Sequence, residues 1–207
     1  MRFRLEPSYN LPMETTTRKV PDWDSYYLSV CRTIATRSKD PSTQIGCIIV
    51  GPAREIRSTG YNSFPRGIVD TIPERQQRPE KYFWIEHAER NAIYNAARAG
   101  TPLEGCTVYV EVTPCMDCAR AIVQAGITKV VIDADRMRAY SSEFYDPQFQ
   151  RVKVLFEEAR IEVVFVTLDT PIQAGATIPP TSTPPTPSEV PVPSGKRMHK
   201  RRQWRHK

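Results

Sequence analysis

Long hydrophobic runs are missing from this 207-residue sequence. The longest one in the region of predicted strands, residues 45–50, is far shorter than the roughly 20 apolar residues that a membrane-spanning helix needs. Residues 1–7 also lack the apolar stretch of a secretory signal. We therefore expect neither membrane insertion nor secretion, and we predict a cytoplasmic protein.

Histidine is scarce, and the cysteines do not form an obvious disulfide framework. His87 is the only histidine in residues 1–170, and the five cysteines are Cys31, Cys47, Cys106, Cys115 and Cys118. Their odd number and spacing do not fit paired disulfides. In a chain expected to be cytosolic, a close pair such as Cys115 and Cys118 indicates metal binding or redox chemistry first.

Basic residues do not outnumber acidic ones over most of the chain. The formal net charge is +6, yet residues 1–170 hold 22 Lys+Arg and 22 Asp+Glu. The excess lies in residues 196–207, which contain seven Lys or Arg and no acidic residue. This basic tail predicts contact with nucleic-acid phosphates or another anionic surface. A nuclear localisation signal and a solubilising tail are the alternatives.

Composition divides the chain into four predicted segments. Residues 1–20 are polar and aperiodic, which indicates a flexible N-terminal arm, and residues 21–170 are predicted to form one folded domain. Residues 171–195 hold eight of the 19 prolines and a single charged residue, which is typical of a disordered linker. The basic tail, 196–207, follows this linker.

Helices and strands alternate in the predicted domain. Apolar residues at spacings of three and four predict a helix from Asp22 onward, which the side chain of Asp22 or Asp24 can cap. Further helices are predicted over 88–99, 115–125 and 149–159, and strands over 43–51, 56–61, 107–112, 129–133 and 161–166. A long connection, 62–85, contains three prolines. This order predicts a three-layer α/β domain with a partly parallel sheet.

Two short motifs, each at the start of a predicted helix, carry the chemistry. The first is His87-Ala88-Glu89, and the second is Pro114-Cys115-Met116-Asp117-Cys118. One imidazole and two thiolates suit zinc, and three protein ligands leave a fourth position for water. The free amides and the dipole of a helix N-terminus favour the thiolate form. The two motifs therefore predict a zinc site.

Glu89 distinguishes a catalytic site from a structural one. Residues i and i+2 of a helix point about 200° apart, so Glu89 and His87 cannot easily bind one ion together. At a helix N-terminus, Glu89 can instead reach water while His87 holds the metal, and zinc lowers the pKa of water toward about 7. A redox Cys pair, a structural zinc site and a simple histidine cap are the alternatives. The complete pattern, H-x-E…P-C-x-x-C, favours a zinc-dependent deaminase.

Further segments narrow this interpretation. They are RSKDP (37–41), QIG (44–46), GYNSFP (60–65), RPEKY (78–82), EHAE (86–89), ARAI (119–122) and QAGI (124–127). With these segments, residues 22–166 resemble the deoxycytidylate (dCMP) deaminase family of the cytidine deaminase superfamily. The resemblance makes residues 21–170 a CMP/dCMP-type deaminase domain with a central five-stranded mixed sheet flanked by helices.

The resemblance also implies a reaction and a homo-oligomer. His87, Cys115 and Cys118 would bind zinc, and Glu89 would protonate N3 of cytosine and the leaving ammonia. The enzyme, a hydrolase of pyrimidine nucleotide metabolism, would convert dCMP to dUMP and so supply thymidylate synthesis.

The substrate contacts are predicted less directly. By the resemblance, Asn62 would contact the sugar and the Ala88 amide would hold the pyrimidine carbonyl. Ser38 and Lys39 suit a phosphate chemically, as a hydroxyl donor and an ammonium. The long connection adds the cations Arg66, Arg75, Arg78 and Lys81, which serve either the phosphate or a solvated surface. Its aromatic residues, Tyr82, Phe83 and Trp84, either stack on a base or pack into the core.

Two other functions compete with this one. A polynucleotide deaminase, acting on tRNA adenosine or single-stranded DNA cytosine, would use the basic tail to grip its substrate. A binding module without catalytic activity could retain the zinc site, but such a module has no use for Glu89.

Overall fold

The computed structural model describes residues 20–139 and 147–168. All of them belong to the first of the two units, Met1–Pro171 and Ile172–Lys207, into which the chain divides. The predicted linker and basic tail lie outside the described residues, as does all but Val20 of the predicted arm, so these assignments stay predictions. None of the helices in the described ranges has the length and apolar character to cross a membrane.

The described ranges contain six α-helices and five strands. The helices are α1 (Trp23–Ala35), α2 (Lys81–Trp84), α3 (Ala88–Ala99), α4 (Met116–Gln124), α5 (Ala134–Ala139) and α6 (Pro147–Glu158). The strands are β1 (Gly46–Val50), β2 (Ile56–Tyr61), β3 (Thr107–Val110), β4 (Lys129–Asp133) and β5 (Glu162–Val166). A short 3-10 helix, Pro73–Gln76, precedes α2. The predicted helices and strands all occur, with ends shifted by a few residues.

The helix ends follow the local sequence. Of the two predicted caps of α1, Asp22 is the one observed, because its carboxylate accepts a 2.9 Å hydrogen bond from the amide of Ser25. Helix α3 ends at Gly100, which adopts a left-handed conformation with φ 67°. At their other ends, α3 and α4 have His87 and Cys115 as N-cap residues, and neither side chain makes a capping hydrogen bond. Both side chains are therefore available for other contacts.

The sheet is mixed, in the order β2-β1-β3-β4-β5. Strand β1 pairs antiparallel with β2 and β3, whereas β3, β4 and β5 run parallel. One face packs on α1 through residues such as Leu28 and Ile48, and the other packs on α3, α4 and α6 through residues such as Ala92, Ile122 and Phe156. The predicted three-layer α/β fold with a five-stranded sheet is thus confirmed.

Three features were missed by the sequence-based prediction. Helix α5 begins directly after β4, where the buried Asp133 carboxylate accepts hydrogen bonds from the amides of Asp135 and Arg136. Strand β3 ends at Val110, two residues earlier than predicted. The next residue, Glu111, is buried and accepts a 2.6 Å hydrogen bond from the Gly46 amide. The third feature is α2, which lies inside the long connection. Side-chain contacts determine all three features, and such contacts cannot be read from the helix and strand propensities of the sequence.

Helix α3, which begins next to His87, lies unusually close to β2. A Cβ atom on Gly60 would lie 2.3 Å from the carbonyl oxygen of Ala88 and 2.4 Å from the amide nitrogen of Ala92. Real Cβ atoms essentially never approach backbone this closely. The glycine therefore sets the distance between α3 and the sheet.

Substitution Gly60→Ala should destabilise the protein by about 1–3 kcal/mol, because α3 must move away from β2 to accommodate the methyl group. Equilibrium denaturation in urea measures this loss. Thr59→Ala, a change at the exposed neighbour on the same strand, should cost less than about 0.5 kcal/mol. Equal stability of Gly60→Ala and the native protein would show that the helix is not held at this distance.

Candidate active site

Two helix N-termini bring one histidine and two cysteines together. His87 precedes α3, Cys115 precedes α4, and Cys118 lies in the first turn of α4. The His87 Nδ1 atom lies 3.5 Å from the Sγ of Cys115 and 3.6 Å from the Sγ of Cys118. The three ligand atoms lie within 4.8 Å of one another, so these residues could hold a metal ion. The structure thus assembles the three residues predicted as zinc ligands.

The chemistry of this cluster fits zinc, which prefers nitrogen and sulfur donors. The hydrogen bond between His87 and Cys115 raises the pKa of His87 to about 9. Hydrogen bonds with Cys118 and then with His87 lower the pKa of Cys115 to about 4. The lowered pKa favours the thiolate of Cys115, which is the form that binds metal, whereas the hydrogen bond with Cys115 and burial raise the pKa of Cys118.

The cluster lies between the core and the solvent. Cys118 is fully buried, Cys115 is half-buried and His87 is exposed. His87 and Cys115 line a cavity of about 370 Å³, which falls within the size range of small-ligand sites. A metal held by the three side chains would therefore be accessible to a ligand in this cavity.

Glu89 lines the same cavity and is only 4% exposed. Burial raises the pKa of its carboxyl group above the ordinary value, although the nearby His87 acts in the opposite direction. A raised pKa makes the carboxylate a better proton acceptor, which suits a group that takes a proton from water and passes it on. Glu89 is not part of the three-residue metal cluster, as its spacing from His87 predicts.

Two predicted substrate contacts also line the cavity. Ala88 is the first residue of α3, where backbone amides have no partner within the helix. Asn62 is 7% exposed, and its side chain holds the adjacent backbone. The Oδ1 atom accepts a hydrogen bond from the Ile45 amide and the Nδ2 atom donates one to the Thr43 carbonyl, both at 2.8 Å. The roles of Asn62 and Ala88 toward the sugar and the pyrimidine carbonyl stay predictions.

The structure does not bring Ser38 and Lys39 into the cavity. The Ser38 hydroxyl donates a 2.8 Å hydrogen bond to the Asn62 carbonyl and accepts one from the Asp40 amide. Lys39 forms a 2.6 Å ion pair with Asp70. Neither residue is among those that line the cavity. Their assignment to a phosphate stays a prediction, and the geometry gives it no support.

The long connection contributes more to the cavity than the sequence suggested. Arg78, Lys81 and Tyr82 line it, and Lys81 pairs there with Asp40. Tyr82 is 60% exposed and Phe83 is 81% exposed, so neither packs into the core. The sequence contained these cations, but only the fold shows which of them face the cavity.

The fold and the site together define a class of protein. Zinc-dependent deaminases combine a His-Cys-Cys metal set with a nearby glutamate that is not a ligand. The cavity described above contains the same combination, on a mixed sheet flanked by helices. Comparisons with known proteins specify the class further.

A family model described as the cytidine and deoxycytidylate deaminase zinc-binding region matches residues 21–134. The chain belongs to this family. The description of the family names zinc and the donor set fits it, so the cofactor is zinc. The resemblance inferred from the sequence is confirmed.

Individual relatives agree with the family model. Deoxycytidylate deaminase of Homo sapiens is 38% identical over 120 residues, which are 56% of this chain and 66% of the human protein. The chain thus spans just under two thirds of that relative. A protein of Aliivibrio fischeri, named uncharacterized deaminase in luxG 3'region, is 34% identical over 153 residues, which are 72% of this chain and 97% of the relative.

A solved structure shares the fold. The dCMP deaminase from the cyanophage S-TIM5, crystallised in complex with dCMP and dUMP, has a TM-score of 0.56 and 20% sequence identity. The match covers 72% of this chain and 99% of the cyanophage chain. At this identity the likeness establishes the architecture only.

Replacement of Cys115 by alanine should weaken zinc binding by more than tenfold, because even residues that only support a metal ligand contribute about 10–100-fold. Metal analysis of the purified protein, followed by titration against a chromogenic chelator, measures the loss. Cys106→Ala is the matched control, since Cys106 lies in the core and outside the cluster. Full zinc retention by the Cys115 variant would remove Cys115 from the ligand set.

Proposed function

We propose that the protein is an enzyme that hydrolytically deaminates dCMP to dUMP and releases ammonia, with zinc held by His87, Cys115 and Cys118. The observation that carries this proposal is the convergence of the metal cluster and the buried Glu89 on one cavity. Membership of the cytidine and deoxycytidylate deaminase family supports it, as does the name of the human relative.

The chemistry divides between the metal and one carboxyl group. Zinc supplies Lewis acidity, which makes water nucleophilic near neutral pH. Glu89 removes a proton from the attacking water and passes it to N3 of the cytosine ring as the bond from oxygen to C4 forms. It then takes the second proton of that oxygen and delivers it to the exocyclic nitrogen. The C4–N bond breaks, ammonia leaves and the C4 carbonyl of dUMP remains.

The remaining contacts orient the nucleotide. The Ala88 amide holds the pyrimidine carbonyl, and Asn62 contacts the sugar. For the phosphate, the cavity offers Arg78, which is exposed, lies 5.9 Å from the Tyr82 ring and forms no ion pair within the described ranges. The guanidinium fork matches two phosphate oxygens. We therefore assign the phosphate contact to Arg78, whereas Ser38 and Lys39 are occupied elsewhere.

The alternative, a polynucleotide deaminase, is not favoured. It depends on the basic tail, which lies outside the described residues. The curated human and mouse relatives both have the name deoxycytidylate deaminase. A non-catalytic binding module is opposed by Glu89, because a site that only holds a metal does not need a carboxyl group beside its ligands. A cytoplasmic location and a homo-oligomeric state stay predictions.

The zinc-loaded protein should release ammonia from dCMP with a higher kcat/KM than from deoxycytidine, because only dCMP offers a phosphate to Arg78. Substitution Arg78→Gln should lower kcat/KM for dCMP by about tenfold to a hundredfold, which is the usual loss for a hydrogen-bonded charge pair, and should leave deoxycytidine turnover unchanged.

The same ammonia assay should include CMP, dCTP and a cytosine-containing oligonucleotide. Arg98→Gln, at an exposed position of α3, is the matched control and should behave like the native protein. Turnover of the oligonucleotide alone would contradict the proposed function. Equal losses for dCMP and deoxycytidine in Arg78→Gln would contradict the phosphate assignment.

Substitution Glu89→Gln should lower kcat by about 10²–10⁴-fold, because the amide cannot carry protons between water and the base. Zinc content should remain that of the native protein, since Glu89 is not a member of the metal cluster. Steady-state kinetics and metal analysis on the same preparation check both points. Glu157→Gln, at an exposed position of α6, controls for the loss of a carboxylate. Normal turnover by Glu89→Gln would disprove the proposed role of Glu89.

A further inference from the structure

Helix α2 has an unusual distribution of buried residues. It is a single turn of four residues, and the one buried member is the charged Lys81. Its aromatic residues Tyr82 and Phe83 are 60% and 81% exposed. A helix this short is not stable alone, because nucleation is unfavourable and few hydrogen bonds form. Trp84, the remaining member, is half-buried, stacks on Arg75 and donates to Glu80, and both partners belong to the same connection. A different contact must therefore join this turn to the rest of the domain.

That contact is a buried ion pair with Asp40. The Lys81 ammonium donates to both carboxylate oxygens of Asp40, at 3.0 and 2.9 Å, and to the Ser42 hydroxyl at 2.6 Å. Its three hydrogens are thereby all used. The side chains of Lys81 and Asp40 are only 6% and 5% exposed. Lys81 is therefore saturated and is not free to bind a substrate phosphate.

Asp40 is equally committed. Its carboxylate also accepts hydrogen bonds from the amides of Ser42 and Thr43, at 2.9 and 3.1 Å. Burial acts to raise the pKa of Asp40, but the hydrogen bonds from Lys81, Ser42 and Thr43 outweigh it and lower the pKa below its ordinary value. The carboxylate thus joins α2 to the segment that leads into β1.

Both sides of this ion pair belong to the cavity wall. Asp40 and Thr43 line the cavity on one side of the pair, and Arg78, Tyr82 and Ile85 line it on the other. Beyond α2, Ser63 and Glu86 exchange backbone hydrogen bonds of 3.0 and 2.8 Å, which fix the chain just before His87. The residues from 78 to 84 have no such strand pairing, and the contacts of Trp84 with Arg75 and Glu80 stay within the long connection itself. The Asp40–Lys81 pair joins this segment to the residues that lead into β1.

We propose that the buried Asp40–Lys81 pair is a positioning element that holds α2, and with it Arg78 and Tyr82, at the wall of the cavity. Where turnover is concerned, this proposal rests on the proposed function, because Arg78 is the phosphate contact assigned above. The pair itself touches no reacting atom. Its effect is to keep the substrate-facing side chains of the long connection in place before a ligand arrives, which reduces the entropy lost on binding.

The experiment compares Asp40→Asn and Lys81→Met with the native protein by amide hydrogen exchange, which needs no substrate. Asn keeps an acceptor oxygen for the amides of Ser42 and Thr43, so the first variant removes the charge with little change of shape. Exchange of the amides of residues 82–85 should accelerate by at least about tenfold in both variants, because α2 opens locally. Amides of the buried strand β4 should exchange as in the native protein.

Kinetics give an independent readout. Both variants should raise KM for dCMP by about tenfold while kcat falls less, because contacts shared by the ground state and the transition state are lost. Lys129→Met is the matched control: it makes the same substitution in a more exposed pair, in which Lys129 lies 3.2 Å from Glu162. It should change neither the exchange of α2 nor the KM.

Native exchange rates for residues 82–85 in both variants would overturn the proposal. A uniform acceleration across α2 and β4 would also overturn it, since the pair would then stabilise the whole fold and not α2 in particular. If the native protein fails to deaminate dCMP, the proposed function is wrong, but the exchange measurement still decides whether the pair holds α2.

Discussion

The close packing of α3 on the sheet is the constraint on which the site depends. Gly60 lets the backbone of α3 approach β2 at a distance that excludes any side chain, and the buried Ala88 and Ala92 belong to the core beneath that helix. This fixes the N-terminus of α3 near the carboxyl end of β3, where the chain turns into α4. Because both helices begin at this edge, His87 meets Cys115 and Cys118 without a dedicated binding loop.

Two buried carboxyl groups that line the same cavity, those of Asp40 and Glu89, have pKa values shifted in opposite directions. The Asp40 carboxylate is surrounded by donors and keeps a lowered pKa, whereas burial raises the pKa of Glu89, which lies beside a cluster of soft metal ligands. For Asp40 the hydrogen bonds outweigh burial, which suits a residue that stabilises a conformation, whereas for Glu89 burial outweighs the favourable contacts, which suits proton transfer. The contrast separates the proposed positioning residue from the proposed proton carrier.

The long connection between β2 and α3 completes the cavity. Its 3-10 helix and single α-helical turn contain few buried apolar residues, so polar contacts fix its shape: Arg75 stacks 3.8 Å from the Trp84 ring, and Trp84 donates to Glu80. The part of this connection that lines the cavity is thus held by polar contacts beside the metal cluster.

The sequence alone determined the class of fold and predicted the metal cluster. Periodicity located the helices and strands, and the motifs around His87 and Cys115 predicted the zinc ligands and a proton-transfer role for Glu89, because the signal of each motif lies within a few neighbouring residues. Arg78 and Lys81 were two of four cations that could serve either a phosphate or the surface, and the sequence did not show which of them line the cavity; Asp40 had no predicted role. Ser38 and Lys39 were predicted to bind the phosphate, although the fold turns them to other partners. These positions depend on contacts between segments some 30–40 residues apart, as in the pairs Lys39–Asp70 and Asp40–Lys81. Only the tertiary structure decides which of several equivalent charges is neutralised in such a contact and which remains free to meet a substrate.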